Sequence, residues 1–306
     1  MSPVAACAAL AACALFISGC ATAPPPPASG AATRPSSAAS APAQGAITDG
    51  ALPQLPANME LHSATHHNFP ALMAYRPIYV LAGSQVPNVK FQFSTKVPLL
   101  FPGGPDQPDP VLSNLYFGYT QVSLWDIHQP GKAIIDTTFE PELFFAMQSP
   151  PPPVEFQGFR ASGVGLQLGV QHESNGRAHE ASRNANYFYL QPTVFFGDRQ
   201  AVHGEVAVKG RTFFSTLHGN SDLEDFYGHI ELFGAVRFGD GLHVTATGRL
   251  GDDPGKGAIQ LDVTYPLRRL RVDAYFHVQY FNGYTESLLD YREHHQALRL
   301  GVSLVR

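Results

Sequence analysis

His172 and Ser174 stand two residues apart in the run Gln171-His172-Glu173-Ser174-Asn175-Gly176-Arg177, and Ser182-Arg183-Asn184-Ala185-Asn186 follows close behind. A serine hydroxyl is a weak nucleophile until a neighbouring imidazole can take its proton. The imidazole must in turn be held in one tautomer, and an amide oxygen can do that with a single hydrogen bond. Histidine, serine and asparagine are therefore a sufficient set for acyl transfer, provided the fold brings them together. Taken alone, Ser174-Asn175-Gly176 reads more simply as an ordinary polar hairpin turn, so position has to decide.

Parity supplies the position. On a β-strand, residues i and i+2 point the same way. Leu166, Leu168 and Val170 share parity with His172 and Ser174, while Gln167, Gly169 and Gln171 take the other face. In the next run Phe188, Leu190, Val194 and Phe196 are apolar at even positions, and Asn186 extends their row. The three reactive side chains thus end two adjacent strands on the apolar side. That arrangement suits a substrate lying in a membrane. Glu173 points the other way and takes no part in this chemistry.

The same alternation runs through most of the chain. Ile259, Leu261, Val263 and Tyr265 alternate with Gln260, Asp262 and Thr264; Phe276, Val278 and Tyr280 alternate with Tyr275, His277 and Gln279. One face of each run is apolar, and the other carries charges that a sandwich core would not tolerate unpaired. Lys90 and Lys96, set against Glu140 and Glu142, show the complementary signs on the polar faces. After residue 20 no window approaches the roughly 20 apolar residues of a membrane helix, whereas runs of about 9 to 11 residues or longer suit tilted transmembrane strands. The expected fold is all-β: a transmembrane antiparallel barrel of about 12 strands with a polar, filled interior. Strands are expected to begin near Ala74, Lys90, Asn114, Thr137, Arg160, Ala185, Ala201, Asp225, Leu242, Ala258, Leu270 and Gln296. Tight turns such as Gly239-Asp240-Gly241 are expected at one end, and longer loops, Gly103–Pro110 and Asn282–His295 among them, at the other.

Ahead of the barrel, residues 73–306, lie three segments. Residues 1–19 read as a signal peptide, with Ile17-Ser18-Gly19-Cys20 resembling a lipobox that would leave Cys20 lipid-bearing. The competing reading is cleavage after the small-x-small site Ala21-Thr22-Ala23. Either way the protein is exported. Residues 20–56 are mostly Ala, Pro and Ser, cannot bury a core and read as a disordered tether; residues 57–72 form a periplasmic lead-in. Cys7 and Cys13 leave with the signal, so the mature chain forms no internal disulfide. With 20 basic against 25 acidic residues, there is no electrostatic footprint for nucleic acid.

The His172 block resembles outer-membrane phospholipase A of Gram-negative bacteria. Tyr119-Thr120-Gln121, Phe139-Glu140-Pro141-Glu142-Leu143-Phe144 and Gly283-Tyr284-Thr285-Glu286-Ser287-Leu288-Leu289-Asp290-Tyr291 look like further blocks of the family in the same order. The resemblance implies hydrolysis of acyl esters of phospholipids and lysophospholipids, a requirement for Ca2+ and activity as a homodimer in the outer membrane. Residue by residue it implies Ser174 as nucleophile, His172 as general base, Asn186 rather than Asn184 as its orienter and the Gly176 N–H as oxyanion donor. It further implies the Arg177 carbonyl and the Ser182 hydroxyl as Ca2+ ligands, and Gln121 as a polar contact across the dimer interface. In the family the partner subunit adds a Ca2+ ligand, commonly a serine, from the loop after the Tyr-Thr-Gln strand. Here that loop, Trp125 to Asp136, holds no Ser or Thr, and Asp136 or a backbone carbonyl would have to stand in. Two rival readings are a weak or inactive barrel lipoprotein with a structural role, and a narrow solute channel. His66-His67 and His294-His295 lack metal-site spacing.

Overall fold

A computed structural model describes residues 72–306 apart from 101–113, 130, 132, 150–154, 157–158, 199–200 and 217. The signal, the tether, all but the last residue of the lead-in and the Gly103–Pro110 segment lie outside the described residues. Twelve strands follow one another: β1 Ile78–Gly83, β2 Val89–Pro98, β3 Leu115–Trp125, β4 Ile134–Ser149, β5 Phe159–Ser174, β6 Asn184–Gly197, β7 Val202–Thr216, β8 Ile230–Phe238, β9 His243–Leu250, β10 Gly257–Pro266, β11 Tyr275–Gly283 and β12 His295–Val305. Each pairs antiparallel with its sequence neighbours, and β12 returns to β1 through Arg299↔Gly83 and Ser303↔Tyr79, so the sheet closes. Closure removes the unpaired edges that an open sheet of this size would expose. Two dipeptides add to it, Met73–Ala74 on β2 and Glu155–Phe156 on β5.

The barrel is apolar outside and polar inside. On β12, Leu298 and Leu300 are 56% and 49% exposed, while Arg299 between them is 1% exposed. The interior is filled by bonded polar groups. Arg76 reaches Glu140 at 2.7 Å and Glu142 at 2.9 Å, and Tyr189 donates to Glu142 at 2.6 Å. Arg211 pairs with Glu231 at 2.9 Å, and His277 lies 2.8 Å from Asp262. Glu286 drops into the barrel from the β11–β12 loop to meet Lys90 at 3.3 Å and Arg299 at 2.5 Å. Burial alone would raise its carboxyl, but Lys90 and Arg299 pull it below the ordinary value on balance. The expected facing of Lys90 and Lys96 toward Glu140 and Glu142 is therefore corrected. Arg76 is the partner of both glutamates, Lys90 belongs to Glu286, and the Lys96 ammonium rests over the Tyr116 ring.

Three further expectations change. Asp225 lies in a short helix, α1 (Leu223–Tyr227), and Leu270 in a 3-10 turn, Arg268–Leu270. Strand geometry starts later in both places, after Gly228 (φ +67°) and after Arg271 (φ +59°), where left-handed residues redirect the chain. Strand length also varies more than expected, from 6 residues in β1 to 16 in β4 and β5. Strict up-and-down order sets the Gly239–Gly241 turn, between β8 and β9, at one barrel end. The β11–β12 loop joins the β5–β6 loop at the opposite end.

Candidate functional site

β5 ends at Ser174 and β6 begins at Asn184, and their register pairs His172 with Asn186 and Ser174 with Asn184. Burial alternates sharply here: Gln171, Glu173, Asn175, Ala185 and Tyr187 are buried, whereas Leu168, Phe188 and Leu190 are exposed. His172, Ser174 and Asn186 share parity with the exposed set and lie on the outer surface. His172 Nδ1 is 2.7 Å from Asn186 Oδ1. An amide oxygen can only accept, so Nδ1 carries the proton and the lone pair is left on Nε2. Asn186, directly opposite His172, is thus separated from Asn184, which lies opposite Ser174.

The turn after Ser174 is shaped by Asn175, a residue that sequence reasoning passed over. Its amide N–H donates to the Arg183 carbonyl at 3.1 Å, and its side-chain NH2 to the Ala181 carbonyl at 2.9 Å. Its Oδ1 accepts from the Arg183 and Arg177 amides at 3.0 and 3.3 Å. One buried side chain therefore cross-braces both arms of the loop. Gly176 follows at φ +64°, and a Cβ there would meet the Phe139 ring at 2.9 Å. Only glycine combines that backbone with that approach.

Arg177 bonds the buried Asp136 at 3.3 Å and also donates to the Ile135 carbonyl. Asp136 is held by the Ser287 hydroxyl at 2.8 Å and the Leu289 amide at 2.9 Å. This corrects the idea that Asp136 could reach a partner subunit as a metal ligand: it is 1% exposed and engaged on both oxygens. Its inward parity with Glu140 was the available signal. Ser182 uses its amide on His179 and its carbonyl on Arg183, at 3.0 and 2.9 Å. Gln121 lies on β3 at the level of the site, because the register links Gln121 to Phe139 and Phe139 to Ser174. It accepts from the Tyr119 hydroxyl at 3.0 Å. Residues 172, 174, 176, 177, 182 and 186 are thus gathered at one end of the β5–β6 hairpin, with Gln121 two strands away.

A family model described as Phospholipase A1 matches residues 57–304. The chain belongs to the phospholipase A1 family. Phospholipase A1 of Escherichia coli K12 is 28% identical over 220 residues, covering 71% of this chain and 69% of that protein. The Klebsiella pneumoniae enzyme is 29% identical over 219 residues, with the same coverage. Outer membrane phospholipase A from Escherichia coli superposes with a TM-score of 0.61 at 25% identity, covering 76% of this chain and 94% of that one. The crystal structure of the Salmonella typhi outer membrane phospholipase dimer with bound calcium gives 0.61 at 24% identity, covering 78% and 94%. This phospholipase is a phospholipid-hydrolysing enzyme built as an outer-membrane β-barrel.

Proposed function

We propose that this phospholipase cleaves acyl esters of phospholipids and lysophospholipids with Ser174 as nucleophile, His172 as general base and Asn186 as orienter. The observation that carries the reading is the 2.7 Å contact from His172 Nδ1 to Asn186 Oδ1 on the lipid-facing surface, with Ser174 one step along the same row. Ser174 Oγ attacks the ester carbonyl carbon as its proton passes to His172 Nε2. The Gly176 amide, at the turn locked by Asn175, donates to the oxygen that gains charge, and one such donor is typically worth about 3–4 kcal/mol. The C–O bond to the glycerol oxygen then breaks as His172 returns the proton to it. Water repeats the sequence on the acyl-enzyme, releases the fatty acid and restores Ser174. A neutral asparagine costs less than a carboxylate beside hydrocarbon. An Escherichia coli outer membrane phospholipase A structure carries an active-site asparagine-to-alanine substitution, which agrees with an asparagine in this role.

The donor set fits calcium. The Arg177 carbonyl and the Ser182 hydroxyl are hard oxygens, and Arg177 keeps its positive charge on Asp136 and Ile135, away from an ion. Two oxygens fall well short of the roughly 6–8 that Ca2+ takes, so water and a second subunit must complete the shell. The Salmonella typhi protein is a dimer with bound calcium. When bound, the ion offsets negative charge on the developing oxyanion. Gln121 on the outer face of β3 is the polar contact in the proposed dimer. For the N-terminus we retain residues 1–19 as a signal and Cys20 as a lipid-bearing residue, which the mass of the mature N-terminus tests.

The deciding assay places the refolded barrel on phospholipid micelles with calcium, with chelator and as Ser174→Ala. Fatty-acid release that needs both Ser174 and calcium is the expected result. Release without calcium would discard the metal site and keep the triad. No release from a folded, dimeric protein would overturn the reading in favour of a structural barrel.

A further inference from the structure

A second constellation lies at the same barrel end as the β5–β6 loop, on different loops. Glu224 comes from α1, His229 from the residue before β8, and Asp252 from the β9–β10 loop. One ligand atom of each lies within 4.8 Å of the other two. His229 Nε2 is 3.1 Å from Asp252 Oδ2 and 3.4 Å from Glu224 Oε2.

The ring is held from behind. His229 Nδ1 is 3.0 Å from the Arg211 carbonyl, and the Arg211 amide donates to the His229 carbonyl at 2.8 Å. A carbonyl can only accept, so Nδ1 bears a proton and Nε2 of the neutral ring is a bare lone pair aimed between two carboxylates. Three electron-rich atoms converge there, and a cation must reconcile them. The nearby basic side chains are committed elsewhere. Arg211 pairs with Glu231, Arg249 donates to the Tyr284 and Thr285 carbonyls, and Lys256 pairs with Asp253. The cation is therefore either a second proton on the ring or a metal ion.

The scaffold favours the metal. The Asp253 amide donates to the Asp225 carbonyl at 3.2 Å, and the Glu224 carbonyl accepts from Gly228 at 2.8 Å. Gly228 has φ +67°, and a Cβ there would fall 1.5 Å from the Leu250 carbonyl oxygen, so only glycine lets the two loops touch. A ring nitrogen whose other N–H is fixed by a backbone carbonyl is the usual outer-shell arrangement of a metal-ligating histidine. Tetrahedral zinc with bonds of about 2.0–2.1 Å needs ligand atoms about 3.3 Å apart, close to the two separations given above. One imidazole with two carboxylates suits zinc better than calcium, which takes oxygen ligands.

We propose that Glu224, His229 and Asp252 bind one divalent transition-metal ion, zinc by preference, clipping the α1 loop to the β9–β10 loop independently of the calcium site. The test is titration of the chelator-stripped, refolded barrel with zinc alone, read by isothermal calorimetry and by competition with a chromogenic chelator. The expected result is one site that millimolar calcium does not displace. Affinity should fall at least tenfold in His229→Gln and in Asp252→Asn, and stay unchanged in His172→Ala. Both variant positions of the trio are solvent-accessible, so the barrel should fold without them, and retained heat-modifiable mobility on gels checks this. X-ray absorption should show one nitrogen and otherwise oxygen neighbours around the zinc. No binding, or equal binding in His229→Gln, would overturn the proposal and leave a protonated histidine between two carboxylates. Loss of binding in His172→Ala alone would move the zinc to the catalytic histidine and also overturn it.

Discussion

The two faces of β5 carry polar residues in alternation, and they are polar for opposite reasons. Inside, Glu173 accepts from the Tyr227 hydroxyl at 2.9 and 3.0 Å, from Gln171 at 3.0 Å and from Tyr187. Lys209 in turn donates to Gln171 at 2.9 Å. Each group is buried and saturated, as a polar interior demands. Outside, one residue along, His172 has its 2.7 Å contact to Asn186 and a second ring nitrogen to spare. Saturation marks the structural face, and spare capacity marks the chemical one. The difference can be broken by substitution: changes outside should stop turnover and leave the barrel standing, and changes inside should do the reverse.

Ser174→Ala is the largest expected effect. Removing a nucleophile from a working triad typically costs on the order of 10⁴-fold or more in turnover. The variant should unfold at the same urea concentration as the parent, because the serine hydroxyl braces nothing inside. A shifted midpoint would blur the distinction between the faces.

Glu286→Gln tests the interior. Glu286, Lys90 and Arg299 are all buried, and neutralising the one anion strands two cations at a typical cost of about 3–5 kcal/mol. Fatty-acid release per folded molecule should change little. The effect has a pH signature. The Glu286 carboxyl titrates below its ordinary value, since Lys90 and Arg299 outweigh its burial. Its stabilisation is therefore complete above the ordinary carboxylate range of about 4.3 and is lost as the pH falls through the lower, folded value. The gap between parent and variant midpoints should be flat at neutral pH and close on acidification. A gap that widens in acid would reverse the sign and refute the ion triad.

Asn186→Ala comes next. In the proposed triad the asparagine orients the ring and takes no part in bond making, so the loss should be large yet roughly ten- to a hundredfold smaller than for Ser174→Ala. Equal losses in both variants would contradict that division of roles.

Alternation of period two made the barrel legible, because it reports which face each residue takes wherever one face meets lipid. The same alternation put His172, Ser174 and Asn186 on one face, and the register sets Asn186, not Asn184, directly opposite His172. The misplaced starts at Asp225 and Leu270 fall where alternation fades into loops with their own left-handed residues. Partnerships across the barrel were hidden. Lys90 with Glu286, Arg76 with Glu140 and Asp136 with Ser287 depend on which strands and loops meet after closure. The Gly283–Tyr291 block could be recognised as a block without disclosing its work, which is to send Glu286 into the interior and Ser287 onto Asp136.

Asp136→Asn should produce the smallest effect, and it probes the link between the two faces. Asp136 is buried with the interior set, yet it holds Arg177, whose carbonyl belongs to the proposed calcium site. Asparagine keeps the shape and one oxygen for the Ser287 hydroxyl and the Leu289 amide, but it removes the charge that holds the Arg177 guanidinium. The loop should then sample more positions while the barrel stays folded. The calcium concentration for half-maximal activity should rise about 3–10-fold, at or below the lower end of the range for outer-shell partners of metal ligands. Turnover at saturating calcium should stay within about twofold, because added ligand refills a weakened site, and Asp136→Glu should recover part of the affinity by restoring the charge. A purely structural role would instead lower the urea midpoint and leave the calcium midpoint where it was. That outcome would sever the Ser287–Asp136–Arg177 chain from catalysis and assign Asp136 wholly to the interior.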